Sequence, residues 1–559
     1  MLTPWPRIFK QRGNAQNKDI DMRGADLLVQ TLAAAGVRKI FSLSGNQIMP
    51  IYDACVDADI EIIHTRHEGA AVFMADAYAQ LTGQVGVCLV TAAPGTANAV
   101  GPLYTARQSE SPIVLLTGDS PLAQDGKGAF QELDQIPITK PLTKLSFRAK
   151  SAKGLGVDIA RAMRTAQSGR PGPVHVALPF DVLEGDATGN AVPNPLVWAR
   201  ESMALQKADA QRIVQTLAAA QAPLVVVGPA MNATRCAGAL RELADALDAP
   251  VVAMESPRGL KDPALGDFAQ ALAKADVVLS LGKPVNYTLG FGGAAACSPS
   301  CRWIVVDADA AERDRAHLNL GDRLSICVAA DPRDALPVLI DAAAAGGSAR
   351  SAWRSEVTDR IAARSYTTND STANGKITPA ALCAAVQRQI AALAESVVIS
   401  DGGEFGQWSQ AVTSGTHRVI NGPGGAIGGG LCYAIAAKKA KPDAAVFALM
   451  GDGTVGFHFA EFETAARENT AFVVVIGNDE CWNAEHQIQL REYGADRLIG
   501  CQLSAARYDQ AAEALGGHGE YVTELGELDA ALLRAIESGK VACVNVAMQG
   551  VPAPSGSAH

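Results

Sequence analysis

The chain runs to 559 residues, too many for one hydrophobic core, and 48% of it is apolar, rich in Ala, Val and Leu as buried parallel strands under helices require. Its net charge of −10 argues against nucleic acid or an anionic membrane as the main partner. No stretch approaches the ~20 consecutive apolar residues of a membrane span.

The first twenty residues carry Arg7, Lys10, Arg12 and Lys18 without a hydrophobic segment, so they read as a disordered leader rather than a secretory signal. Over residues 21–184, helical patterns such as Ala25–Leu32 alternate with apolar runs at Val85–Val90, Ile113–Leu116 and Val174–Leu178. That alternation predicts a doubly wound α/β domain. Glu68, in Arg66-His67-Glu68-Gly69, falls at a strand-to-helix junction. It either complements the helix dipole or faces an interface. Ala93-Pro94-Gly95-Thr96-Ala97-Asn98 predicts a tight turn opening a second helix, with Asn98 as a cap or as a donor to a polar ligand.

Residues 185–202 are rich in Gly, Asn and Pro and read as a linker. A second strand set, Leu224–Val227, Val277–Ser280 and Trp303–Val306, defines a central domain over 203–341. The small-residue run 342–349 and the polar stretch 367–375 separate it from a third domain, 376–550. The tail 551–559 reads as frayed. Eleven cysteines are scattered singly; the closest pair, Cys297 and Cys301, has no matching second pair. Zinc is therefore not expected, and free thiols in a reducing cytosol are.

In the third domain, the apolar run Ala445–Met450 delivers the chain to Gly451-Asp452-Gly453, and Phe472–Ile476 delivers it to Asn478-Asp479. Two such runs a helix apart predict adjacent parallel strands, with Asp452 and Asp479 meeting at the edge where open α/β sheets bind ligands. Two carboxylates beside a glycine-rich turn suit a hard cation with room for phosphate oxygens. The spacing Gly451-x-Gly453-x-x-Gly456 also satisfies a dinucleotide fingerprint, with Asp479 as its ribose acid. Asp452 weighs against that reading, because an anion between the glycines repels a pyrophosphate unless a cation intervenes.

Six stretches, RHEGAA, APGTAN, GAFQELD, SGRPGPVHVALP, GPGGAIGGGL and GDG followed by ND, together resemble the thiamine diphosphate enzymes of the acetolactate synthase group. That group includes pyruvate oxidases, benzaldehyde lyase and 2-hydroxyacyl-CoA lyases. The resemblance implies a pyrimidine-binding domain, a central nucleotide-binding-like domain and a diphosphate-binding domain, in that order. It implies that Glu68 activates the cofactor by hydrogen bonding to its aminopyrimidine, the thiazolium then serving as electron sink. It makes Asp452 and Asp479 side-chain ligands of Mg²⁺ and the Cys481 carbonyl a third ligand. Gly451, Gly453 and Thr454 match the diphosphate cradle, and Gly425, Ala426 and Asn98 further cofactor contacts. Ile427 matches a large apolar residue beneath the bent cofactor, and Gln131 a glutamine near its reacting end.

Two departures stand out. Asp479 replaces the usual Asn, adding a charge beside an anionic diphosphate. Gly282-Lys283-Pro284-Val285 replaces the segment in which acetolactate synthases carry an FAD-holding arginine, which places FAD or ADP in doubt. Ser44, Gln47, Glu404, Gln407, Trp482, Glu485 and His486 are the expected substrate-facing residues, His486 being a candidate acid–base group. The expected function is decarboxylation and carboligation of a 2-keto acid such as pyruvate. Alternatives are a lyase of 2-hydroxyacyl-CoA or 2-hydroxy ketone substrates and a simple 2-keto acid decarboxylase. The activating acid and the metal acids lie in different domains, and the resemblance implies that they come from different subunits around one cofactor, so at least a homodimer is expected, with a homotetramer as the larger form.

Overall fold

The computed structural model describes residues 21–343, 350–364, 372–373, 375–421 and 424–554. The expected leader lies outside the described residues, as do most of the 342–349 run and most of the 367–375 stretch. Three parallel sheets organise the chain. The first holds β1 (Lys39–Ser42), β2 (Glu61–His64), β3 (Gly86–Val90), β4 (Ile113–Asp119), β5 (Leu145–Arg148) and β6 (Val174–Pro179), in the order β2-β1-β3-β4-β6-β5. The second holds β7 (Pro223–Val227), β8 (Val251–Ala253), β9 (Val277–Leu281), β10 (Arg302–Val306) and β11 (Leu324–Val328), in the order β11-β10-β9-β7-β8.

A short antiparallel pair, β12 (Thr372–Ala373) and β13 (Lys376–Ile377), precedes the third sheet. That sheet contains β14 (Ser396–Asp401), β15 (His417–Ile420), β16 (Ala445–Gly451), β17 (Phe472–Asn478), β18 (His518–Val522) and β19 (Val541–Ala547). Its order, β15-β14-β16-β17-β19-β18, repeats that of the first sheet strand for strand. Central strands such as β4 and β17 are buried along their whole length, which is why they read as unbroken apolar runs rather than alternating ones.

In the third sheet the strand order reverses between β14 and β16, so the loops that leave these two strands diverge and open a crevice. The first and third domains pack through the helices Glu68–Thr82 and Gly430–Ala440, whose small residues share one core. A Cβ on Gly429 would lie 2.9 Å from the Phe73 ring, so the close approach needs a glycine there. Phe73 and Tyr433 meet edge to face at 5.5 Å, and the Tyr433 hydroxyl donates to the buried Asp76 at 3.3 Å.

Candidate active site

The crevice at the β14/β16 switch holds a cavity of about 310 Å³. Gly451 pairs with Gly477 in the parallel register of β16 and β17, so the two strands deliver Asp452 and Asp479 side by side into it. Burial, and for Asp479 also the charge of Asp452, pushes these carboxyls up to about 6 and about 7. Asp452 Oδ2 is buried with no hydrogen-bond partner among the described residues. A buried carboxylate oxygen left unpartnered beside a second acid is destabilising by itself and is what a divalent cation resolves.

The glycines around these acids are fixed by contact. A Cβ on Gly453 would meet the Trp482 ring at 2.6 Å, and one on Gly402, at φ +87°, would meet Thr454 Cγ2 at 2.1 Å. Thr454 Oγ1 donates to the Gly451 carbonyl at 3.0 Å, closing the turn. These residues fit a cation and a diphosphate: Asp452 and Asp479 would hold the metal, with the backbone of Gly453 and Thr454 beside it. Cys481 lines the same cavity. Among the described residues no cluster of three His, Cys, Asp or Glu side chains forms a metal site, so a metal here draws on two acids and the backbone.

Of the residues expected from sequence, Gly425, Ile427, Glu404, Gln407, Trp482 and Glu485 line the cavity together with the metal acids. Ala426 and His486 do not; the Ala426 carbonyl is turned to the Asn421 side chain, and His486 continues the helix Asn483–Tyr493. No first-domain residue lines the cavity. Glu68 begins the helix Glu68–Thr82, half-buried, and accepts from Asn98 Nδ2 at 3.0 Å. Ser44 bonds His64, and Gln47 accepts from Thr91 Oγ1 at 2.7 Å. Gln131 sits at φ +58°, its Oε1 buried and unpartnered.

Of the expected tail, residues 551–554 are described, and the first of them are held. Ala553 N–H donates to Glu404 Oε2 at 2.7 Å and the Val551 carbonyl accepts from Asn483 Nδ2 at 3.2 Å, so residues 551–553 are tied to two residues that line the cavity. Sequence reading also passed over Asp401 and Glu461. Asp401, buried at the end of β14, accepts from the backbone N–H of Gly430 at 2.7 Å and of Gly428 at 3.0 Å, and so fixes the loop that carries Ile427. Its signal was available: it ends an apolar run just as Asp452 does. Glu461 reaches the first domain, and nothing local in the sequence marks it.

The carboxyl edge of the central sheet holds smaller cavities than the third domain does. Part of that edge is filled by the buried Arg170 guanidinium, which bonds Glu110, Asp307 and, at 3.1 Å, the Gly282 carbonyl. About 10 Å³ remains there, near the limit for a single water. Lys283 is buried and donates to the Met254 carbonyl at 3.1 Å. Beside it a second cavity of about 160 Å³ is lined by Glu110, Arg170, Lys283, Pro284 and Asn286, so the edge keeps a small polar opening next to the filled one.

Residues 22–138 match the family described as "Thiamine pyrophosphate enzyme, N-terminal TPP binding domain", residues 210–339 its central domain and residues 401–546 its C-terminal TPP binding domain. The chain is 32% identical to a "Probable acetolactate synthase" of Mycobacterium bovis, over 94% of this chain and 95% of that protein. It is 29% identical to the human "2-hydroxyacyl-CoA lyase 2", over 92% of this chain and 87% of that protein.

Proposed function

The chain belongs to the thiamine pyrophosphate enzymes, and from that premise we propose that it decarboxylates a 2-keto acid such as pyruvate and joins the remaining fragment to a second carbonyl compound. Thiamine diphosphate is the cofactor, and Mg²⁺ is the proposed metal. The observation that carries the cation assignment is the unpartnered Asp452 Oδ2 beside Asp479. When bound, the cofactor supplies the electron sink for the bond-breaking and bond-making steps.

The chain's own residues account for the rest. Asp452 and Asp479 anchor the diphosphate end through the cation, and Ile427, on the loop fixed by Asp401, supports the rings. Glu68, held by Asn98, positions a proton at the aminopyrimidine. Since no first-domain residue lines the cavity of its own chain, Glu68 is proposed to serve the cavity of a second copy, which makes the active unit a homodimer or a homotetramer. All eleven cysteines are free, which supports a reducing, cytoplasmic setting. No helix among the described residues is long and apolar enough to cross a membrane.

The likeness to 2-hydroxyacyl-CoA lyase 2 favours a second reading, cleavage of 2-hydroxyacyl-CoA or 2-hydroxy ketone compounds. Incubation of the protein with thiamine diphosphate, Mg²⁺ and a panel of 2-keto acids and 2-hydroxyacyl-CoAs, with products identified by mass spectrometry, decides between them. Carbon dioxide and an acetolactate-type product support the first reading. A released aldehyde and formyl-CoA from the thioesters alone would replace it with the second.

A further inference from the structure

The 2-keto acid reading leaves open what recognises the acid, and the walls of the cavity supply a candidate. The charged residues that line it are four acids, Asp452, Asp479, Glu404 and Glu485, and one cation, Arg258. With a cation held by Asp452 and Asp479, the acids left uncompensated are Glu404 and Glu485, and Arg258 is the one cationic side chain among the lining residues.

Arg258 reaches the cavity from the central domain, on the loop that follows β8. The loop is held stiffly. Ser256 is buried, and its Oγ accepts the Arg258 backbone N–H at 3.2 Å. Gly259 takes φ +56° so close to Thr288 that an added Cβ would lie 2.3 Å from the Thr288 carbonyl oxygen. On the other side, a Cβ on Gly425 would be 3.6 Å from Pro257 Cβ, so the turn abuts the loop that carries Ile427. A rigid backbone thus delivers position 258 to the cavity.

Among the described residues the Arg258 guanidinium donates no hydrogen bond. Glu404, which lies within reach of its charge, has its Oε2 already accepting from Ala553 N–H at 2.7 Å. Burial raises the Glu404 carboxyl from its ordinary range, and the Arg258 charge opposes that shift. The Arg258 side chain is exposed at the edge of the cavity, and its guanidinium is left as a fork of N–H donors, the donor geometry that pairs with a carboxylate through two parallel hydrogen bonds.

We infer that Arg258 binds the carboxylate of the 2-keto acid donor and is the residue by which the site prefers an anionic substrate to a neutral carbonyl compound. The test uses the holoenzyme with thiamine diphosphate and Mg²⁺, and measures kcat and KM for pyruvate alongside cleavage of the neutral 2-hydroxy ketone acetoin. Arg258→Gln is expected to raise the KM for pyruvate by about ten- to a hundredfold, the range of a lost charge-assisted pair, with kcat within about threefold. Acetoin cleavage stays at the wild-type rate, and Arg258→Lys recovers part of the KM.

An Arg258→Gln enzyme whose KM for pyruvate is unchanged, or which loses acid and neutral substrates equally, overturns the assignment while leaving the keto acid reading in place. A wild-type enzyme that consumes no 2-keto acid overturns both.

Discussion

The Glu461 carboxylate, from the third domain, accepts the backbone N–H of His67 at 3.1 Å and that of Arg66 at 2.9 Å, immediately before Glu68 in the first domain. Glu461 is fully buried and takes a third hydrogen bond from Thr464 Oγ1 at 2.6 Å. The segment that follows the Gly451–Thr454 turn of the third domain therefore sets where Glu68, the proposed activating acid, begins its helix in the first domain. Glu461→Ala strands two backbone donors, each costing about 1–3 kcal/mol when left unsatisfied. The variant is expected to melt several degrees lower and to lose kcat, whereas Glu461→Gln, which keeps an acceptor oxygen, retains most of both. Equal melting temperatures for the two variants in a thermal scan would show that these bonds do not hold the junction.

Glu68→Gln tests the acid itself. Proton positioning by a side chain contributes on the order of 10²–10⁴ in rate, so a loss of at least a hundredfold in kcat is expected, with the far-ultraviolet spectrum unchanged. Asn98→Ala removes the 3.0 Å bond that orients Glu68 and is expected to fall between wild type and Glu68→Gln. Full activity in Glu68→Gln removes the glutamate from the mechanism.

Asp479 adds a second charge where an uncharged amide would keep an oxygen for the metal. In the cation-free protein buried Asp452 and half-buried Asp479 repel, since Asp452 is among the groups that push Asp479 upward. Asp479→Asn is therefore expected to raise the melting temperature of the chelator-treated protein at neutral pH while keeping Mg²⁺-dependent activity. Asp452→Ala, by contrast, abolishes retention of the cofactor, measured by thiamine release after gel filtration. An Asp479→Asn protein that melts lower without metal contradicts the repulsion.

The parallel strands and the pairing of Asp452 with Asp479 were legible because both rest on local signals: apolar runs of strand length, each ending in an acid. Long-range partners were not. Glu461 sits in an ordinary helical pattern and declares its role through backbone donors 395 residues away. Arg258 lies in a turn whose sequence says nothing of the cavity it borders. The tail looked uncharged and free, yet what ties it down is its own backbone, the Ala553 N–H and the Val551 carbonyl, which side-chain composition does not report.

His175 gives the first domain a built-in acid limit. It is fully buried in β6, and its ring nitrogens are within 2.8–2.9 Å of the hydroxyls of Thr117, Thr139 and Ser146. Burial pushes the imidazole down to about 3, from an ordinary 6.5. The folded chain therefore stays neutral there while the unfolded chain takes up a proton, so the contribution is fully present above pH 6.5 and is lost as the pH falls from 6.5 toward 3. At about 1.4 kcal/mol per unit, acidification from pH 7 to pH 5 removes roughly 2 kcal/mol. His175→Asn cannot titrate and is expected to show a flatter decline of denaturation midpoint over that interval, even where its midpoint at pH 7 is lower. Parallel pH profiles for the two proteins would mean that other groups set the acid limit.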